Sequence, residues 1–255
     1  MRLVTLQLGK EYILYDAGIL WDATGTSQIA TAHPTPVTPD PAWFKAGFWQ
    51  ARGAVIGQAP GRGTSLFVDA SSVTSGTAPG EAQWVLRGYH RGGLVARVTT
   101  SRYIWLGLER TRAFRELRLT ALLYEKGLPV AQPVASLVRR VGPIYEAALL
   151  TARIKNARAL AEVLPQADKA LLIRVGRTIR RFHEAGLDHV DLNARNLLIT
   201  PDEQVWLIDL DRCRLRRPGR WQQSNLQRLA RSLTKFSSND TDRHWPPLLQ
   251  GYRQP

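Results

Sequence analysis

One stretch constrains the fold more than any other. His189-Val190-Asp191-Leu192-Asn193-Ala194-Arg195-Asn196 runs into the apolar Leu197-Leu198-Ile199, a turn at Pro201-Asp202, and Val205-Trp206-Leu207-Ile208-Asp209. Two apolar runs of strand length around a turn predict a hairpin. The hairpin brings Asn196, just before its first strand, and Asp209, just after its second, to the same end as Asp191. Two carboxylates and a carboxamide make the oxygen-donor set that Mg²⁺ takes when it also holds substrate phosphates. Singly, Asp191 and Asn196 read as loop caps and Asp209 as a strand end. Together, and in order behind an amphipathic helix ending at His183-Glu184-Ala185-Gly186, they point to chemistry.

Phosphoryl transfer needs one Asp to orient or deprotonate a hydroxyl, and an Asn and a second Asp to hold metal against the phosphates. The Asn five residues after the first Asp matches the H-R-D-x-x-x-x-N catalytic loop. This gives Asp191 the catalytic role and Asn196 and Asp209 the metal. His189 reads as a structural hydrogen-bonder, and Arg195 as steadying either Asp191 or a substrate anion. The companion parts belong upstream. Glycines let backbone amides approach phosphates closely, and Gly57, Gly61 and Gly63 supply them, although such turns are commonly plain hairpins. A cation on the next strand should face the phosphates: Arg87 in Trp84-Val85-Leu86-Arg87, with Arg91 competing. An acid on the following helix should brace that cation. Glu116 lies within the helix body, whereas Glu109 precedes it and Glu125 ends it.

Along the chain, Leu3 to Tyr15 alternates like strands, and Thr31 to Pro41 is a proline-rich loop. Trp43, Phe44, Phe48 and Trp49 suggest a short helix. Phe114, Leu117, Thr120, Ala121 and Tyr124 set one face of a helix over 111–126, stopped at Gly127. Val134–Arg140 and Ile144–Leu150 read as strands. Helices are expected over 154–164, 167–184 and 221–236. The order predicts an α+β molecule: an N-terminal lobe (1–152) with a five-stranded antiparallel sheet, and a compact helical C-terminal lobe (153–255). The backbone around Ala148 to Ala152 is expected to meet the adenine.

The formal charge of +14 implies anionic partners: nucleic acid, nucleotide phosphates or an acidic membrane. Nucleic acid is disfavoured, because the aromatics are scattered and no recognition motif appears. Cys213 is the only cysteine, so no internal disulfide forms and a reducing compartment is expected. No apolar run is long enough to span a bilayer, and Met1 to Gly18 has no signal-peptide core. From Arg212 to Arg231 there is no acidic residue. Arg212, Arg214, Arg216, Arg217 and Arg220 form a group suited to anionic lipid, with Trp221 as an interfacial contact.

The chain resembles the 3-deoxy-D-manno-octulosonic acid (Kdo) kinases of the lipopolysaccharide-kinase branch of the protein-kinase-like fold. The resemblance rests on Val85 to Gly93, Thr111-Arg112-Ala113-Phe114-Arg115-Glu116 and Gly127-Leu128-Pro129-Val130. It rests further on His189 to Leu198, Leu207 to Arg212, and Asn225-Leu226-x-Arg228-Leu229-x-Arg231-Ser232-Leu233. It implies a bilobal kinase-like fold, ATP and Mg²⁺, and transfer of the γ-phosphate to the 4-OH of a Kdo sugar on an anionic lipid A precursor. It implies a place at the cytoplasmic face of the inner membrane. Arg87 replaces the usual strand lysine, Asp209-Leu210-Asp211 replaces Asp-Phe-Gly, and no Ala-Pro-Glu follows. Few residues follow Asp209, which disfavours a protein acceptor. A phosphotransferase of the aminoglycoside or choline kinase type shares the same loop pair and is the competing reading.

Overall fold

The computed structural model describes residues 1–18, 38–59, 65–74, 78, 80–89, 103–237 and 241–254. It is an α+β chain of two compact units. The first comprises Met1–Ala121 and Gln132–Arg153, the second Leu122–Ala131 and Ile154–Pro255.

The first unit contains β1 (Leu3–Leu8), β2 (Glu11–Asp16), helix α1 (Ala46–Gln50), β3 (Val55–Gln58), β4 (Ser65–Asp69), β5 (Gln83–Gly88), β6 (Tyr103–Ile104), most of helix α2 (Arg112–Glu125), β7 (Pro133–Val141) and β8 (Ile144–Ala152). The expected sheet is antiparallel but has, among the described residues, eight strands rather than five, in the order β1-β2-β7-β8-β5-β4-β3 with β6 also on β8. Neighbouring residues of a strand point to opposite faces, and both faces are buried. Ile13, Leu137 and Leu150 pack with Trp43, Phe44, Trp49 and Trp84. Leu14, Val138 and Leu149 pack with Phe114 and Leu117 of α2. Trp49 is fully buried because its indole Nε1–H donates to the Trp43 carbonyl at 2.7 Å. In α2 the buried stripe is as expected except at Tyr124, which is exposed. Gly127, at φ +68°, supports the left-handed stop that follows the helix.

Ala148 to Ala152, expected to meet adenine, lie inside β8. Their ladder is shared between β5, where Leu86 faces Leu150, and β7, where Ala135 faces Leu150. Backbone groups already paired on both sides are not available to a base.

The second unit holds β9 (Arg158–Ala159), α3 (Leu160–Val163), α4 (Lys169–Glu184), β10 (Leu187–Asp188), β11 (Leu197–Ile199), β12 (Val205–Leu207), β13 (Arg214–Leu215), α5 (Arg220–Phe236) and α6 (Thr241–Arg253). The helix expected over 154–164 is mostly absent: Asn156 turns at φ +56°, and Arg158 and Ala159 pair with β11. The Asp168 side chain caps α4 by accepting from Leu171 N–H at 2.7 Å. Helix α4 then lies against α6 so closely that a Cβ on Gly176 would strike the Leu248 carbonyl, and one on Gly251 the Ile173 carbonyl.

Candidate active site

The β11–β12 hairpin pairs Leu197 with Leu207 and Ile199 with Val205. Its ladder extends one residue further, with Ile208 N–H donating to the Asn196 carbonyl at 3.0 Å. Asp209 therefore follows directly from the residue that faces Asn196. The Ile208 carbonyl accepts from His189 Nε2 at 3.0 Å, so the loop bearing Asp191 and the strand leading to Asp209 are tied at one backbone unit. His189 is fully buried. Burial holds its imidazole below the ordinary value, against the pull of the Ile208 bond and the charges of Asp209 and Asp191. The ring thus donates Nε2–H to a carbonyl, and its Nδ1 is buried away from solvent.

Between these anchors the loop turns on two amides. Asn193 Nδ2 and Asn196 Nδ2 donate to the Asp191 carbonyl at 2.9 and 3.0 Å. Asn193 Oδ1 accepts from the N–H groups of Arg195 and Asn196 at 2.8 and 3.2 Å, an Asx-type turn. Leu192 and Ala194 face inward, and Ala194 N–H is held by Ser232 Oγ of α5 at 3.0 Å. The Asp191 carbonyl is held by two amides, while its side chain is exposed and its carboxylate accepts no hydrogen bond among the described residues. Arg195 stands over the Phe236 ring at 5.2 Å.

The donor chemistry fits a phosphate-bound Mg²⁺. Because Asn196 Nδ2 is committed to the Asp191 carbonyl, Oδ1 remains as an acceptor, and Asp209 supplies a carboxylate. Two protein oxygens suffice where phosphates and water complete the shell. Among the described residues there is no all-protein cluster of three or more His, Cys, Asp or Glu. Asp209 sits at φ +62° and Arg212 at φ +60°, left-handed positions that cost backbone strain in a residue with a Cβ.

In the first unit, Arg87 on β5 and Glu116 on α2 form the expected ion pair, Nη2 to Oε1. Glu116 is buried, and its second oxygen accepts from Tyr89 O–H. Burial and the Glu116 charge push the Tyr89 phenol well above its ordinary value, so it remains a donor. Sequence reasoning missed Tyr89 as a member of this pair, although alternation along β5 is a signal for it, since residues two apart share a face. Gly57 lies in β3 rather than in the expected turn. A Cβ there would come within 3.2 Å of the Phe67 ring, which gives that glycine a packing reason. Gly61, Gly63 and Arg91 lie outside the described residues.

Behind the loop, Asp188 is buried and accepts from Asn225 Nδ2 at 3.0 Å and Arg216 Nη1 at 3.1 Å, with Arg214 Nε at 3.6 Å. Arg214 and Arg216 of the five-arginine group are thus paired internally, whereas Arg212, Arg217 and Arg220 are exposed and have no ion pair among the described residues. Trp221, expected at a membrane interface, is buried instead. Its Nε1–H donates to the Arg217 carbonyl at 2.7 Å, and its ring meets His183 edge-on.

Residues 46–252 match the model of the lipopolysaccharide kinase (Kdo/WaaP) family. The chain is 38% identical over 233 residues to a 3-deoxy-D-manno-octulosonic acid kinase of Photobacterium profundum, covering 87% of this chain and 93% of that one. It is 43% identical over 219 residues to the protein of that name from Xanthomonas axonopodis pv. citri, 84% of each chain. With the one from Xanthomonas campestris pv. campestris the figure is 45% over 198 residues, 75% of this chain and 76% of that one.

Proposed function

The chain is a kinase of the lipopolysaccharide kinase (Kdo/WaaP) family, and from that premise we propose that it transfers the γ-phosphate of ATP to the 4-OH of a Kdo sugar on a lipid A precursor. The observation that carries this reading is the Asp191 loop: a carboxylate without internal partners on a backbone locked by Asn193, Asn196 and Ser232. A base that is fixed in position and unoccupied can meet an incoming hydroxyl without reorganisation.

In this mechanism Asp191 accepts the hydroxyl proton as the oxygen bonds to the γ-phosphorus and the bond to the β–γ bridging oxygen breaks, releasing ADP. Arg87, oriented by Glu116 and Tyr89, braces the α/β-phosphates. Asn196 and Asp209 hold Mg²⁺. When bound, the ion neutralises charge that develops on the phosphate oxygens. Arg195, exposed on the same loop, meets an anionic group of the acceptor. Arg212, Arg217 and Arg220 favour the anionic surface from which such an acceptor is presented, at about 1 kcal/mol each. On this reading the protein works peripherally at the cytoplasmic face of the inner membrane. No helix of the described residues is long and apolar enough to cross a membrane.

The test incubates the chain with ATP, Mg²⁺ and lipid A precursors with and without Kdo, read by mass spectrometry. One added phosphate on the Kdo-bearing lipid alone is expected. Phosphorylation of the lipid lacking Kdo, or only of aminoglycosides or choline, overturns the acceptor assignment. Asp191→Ala should lower turnover by about three orders of magnitude or more with ATP binding kept, because the group acts in the transition state. Asp209→Asn tolerates the left-handed backbone and should lose Mg²⁺-dependent ATP binding. Near-normal turnover in either variant refutes that residue's role.

A further inference from the structure

The end of the large sheet where β1 turns into β2 and β7 into β8 carries an apolar surface that stays exposed among the described residues. Val141 faces Ile144, and Ile144 faces Ile104 of β6. Leu8 faces Glu11 in the adjoining hairpin, and Arg140 N–H reaches the Lys10 carbonyl at 2.9 Å. Leu8, Val141, Ile104 and Leu106 thus gather at one end, exposed to 44, 42, 66 and 65%. Ile104 and Leu106 flank Trp105, whose backbone N–H is fixed on the Pro143 carbonyl at 2.8 Å. The Trp105 ring stacks on Tyr12 at 6.0 Å beneath the Arg140 guanidinium at 5.1 Å. These tips are therefore held outward by a rigid base.

The charges select the occupant. Lys10, Arg110 and Arg140 are exposed and have no ion pair among the described residues. The neighbouring acids are met by arginines and outnumbered: Glu11 and Glu146 share Arg139 at 2.9 and 4.0 Å, and Glu109 pairs with Arg118 at 2.9 Å. Apolar tips around a tryptophan, ringed by unpaired cations, match the boundary between acyl chains and anionic headgroups. We infer that Ile104 and Leu106, with Leu8 and Val141, form a docking surface that inserts into an anionic lipid bilayer. This inference rests on the reading that the acceptor is a glycolipid, and it places lipid contact on the first unit in addition to the arginines of the second.

The test compares the full chain with Ile104→Ser/Leu106→Ser by co-sedimentation with phosphatidylcholine vesicles, with and without phosphatidylglycerol. Activity is measured in parallel on a deacylated, water-soluble Kdo saccharide. Both substituted side chains are exposed, and a thermal melt confirms that the fold is kept. The parent should bind the anionic vesicles, and the double variant about tenfold or more weakly, since two large aliphatic side chains no longer insert. Activity on the soluble saccharide should be unchanged. Equal binding by parent and variant, or no binding by the parent, overturns the inference. So does a parent that self-associates through these residues in gel filtration while the variant does not and vesicle binding is equal. If the saccharide is not phosphorylated but vesicle binding falls in the variant, the acceptor assignment fails and the docking surface stands.

Discussion

Asp188→Asn tests whether the buried carboxylate behind the loop holds it in place. Burial raises the Asp188 carboxyl pKa, but the hydrogen bonds from Asn225 and Arg216 and the charges of Arg216 and Arg214 outweigh it and hold the group below its ordinary value of 3.8. A hydrogen bond to a charged group contributes about 1.5–3 kcal/mol net. Here the arginine side chains are 44 and 58% exposed, so water screens them and recovers part of the loss. The expected cost for the set is about 2–3 kcal/mol, read as a fall in melting temperature of roughly 4–12 °C for a chain of this size. Because the folded pKa is depressed, the stabilisation is present in full above the unfolded value and is lost as pH falls through the folded one. The parent-minus-variant difference should therefore hold from pH 7 to about pH 5 and vanish in stronger acid, where the parent's own carboxyl is protonated. Urea melts across this range measure it. Asp188 lies three residues before Asp191, so kcat should also fall more than KM for ATP rises. A difference under about 0.5 kcal/mol at pH 7, or one that grows in acid, refutes the reasoning.

Gly176→Ala and Gly251→Ala each push a methyl into helix backbone that no side-chain rotation can relieve, and each should cost at least about 2–3 kcal/mol in a urea melt. Glu116→Gln removes the charge that orients Arg87 and should raise KM for ATP by about tenfold with a smaller change in kcat, as measured by steady-state kinetics. His183 is buried with its pKa lowered to about 4, chiefly by desolvation. The unfolded chain takes up that proton first as pH falls from 6.5, so stability should drop by roughly 3 kcal/mol between pH 6.5 and 4, and His183→Phe should flatten the slope.

The elements legible in the sequence are those whose burial is periodic. Helix α4 shows its stripe in Leu171, Leu172, Val175, Ile179 and Phe182, all buried. Strands β7 and β8 are legible instead as mainly apolar runs, because both of their faces are buried. Helix α6 is hidden because Pro246 and Pro247 stand inside it, which sequence rules read as an end. They are the sixth and seventh residues of α6, so the carbonyls of residues 242 and 243 lack their intrahelical donors. The sequence predicts fewer strands than the sheet holds because β6 has two residues and β3 four, too short for any period to appear.

The same distinction separates the parts of the site. Asp191, Asn196 and Asp209 are readable because a hairpin converts spacing along the chain into proximity, and the Leu197–Leu207 register carries that through. Asn193, Asp188 and Tyr89 act by holding other groups. Asp188 reaches Asn225 and Arg216 across 37 and 28 residues, so no local pattern announces it, and Tyr89 reaches Glu116 across 27, marked locally only by sharing a face with Arg87. Arg214 and Arg216 show the consequence. In the sequence they belong to an unbroken basic block, indistinguishable from Arg212, Arg217 and Arg220. The fold divides that block by one buried acid: β13 pairs with β10, which brings Arg214 opposite Asp188, and Arg216 N–H is fixed on the Gly186 carbonyl at 2.8 Å. Gly186 is required there, since at φ +85° a Cβ would meet the Arg216 carbonyl oxygen at 2.8 Å. A glycine that reads only as a helix stop thus sets which arginines remain for an anionic surface and which secure the loop that carries Asp191.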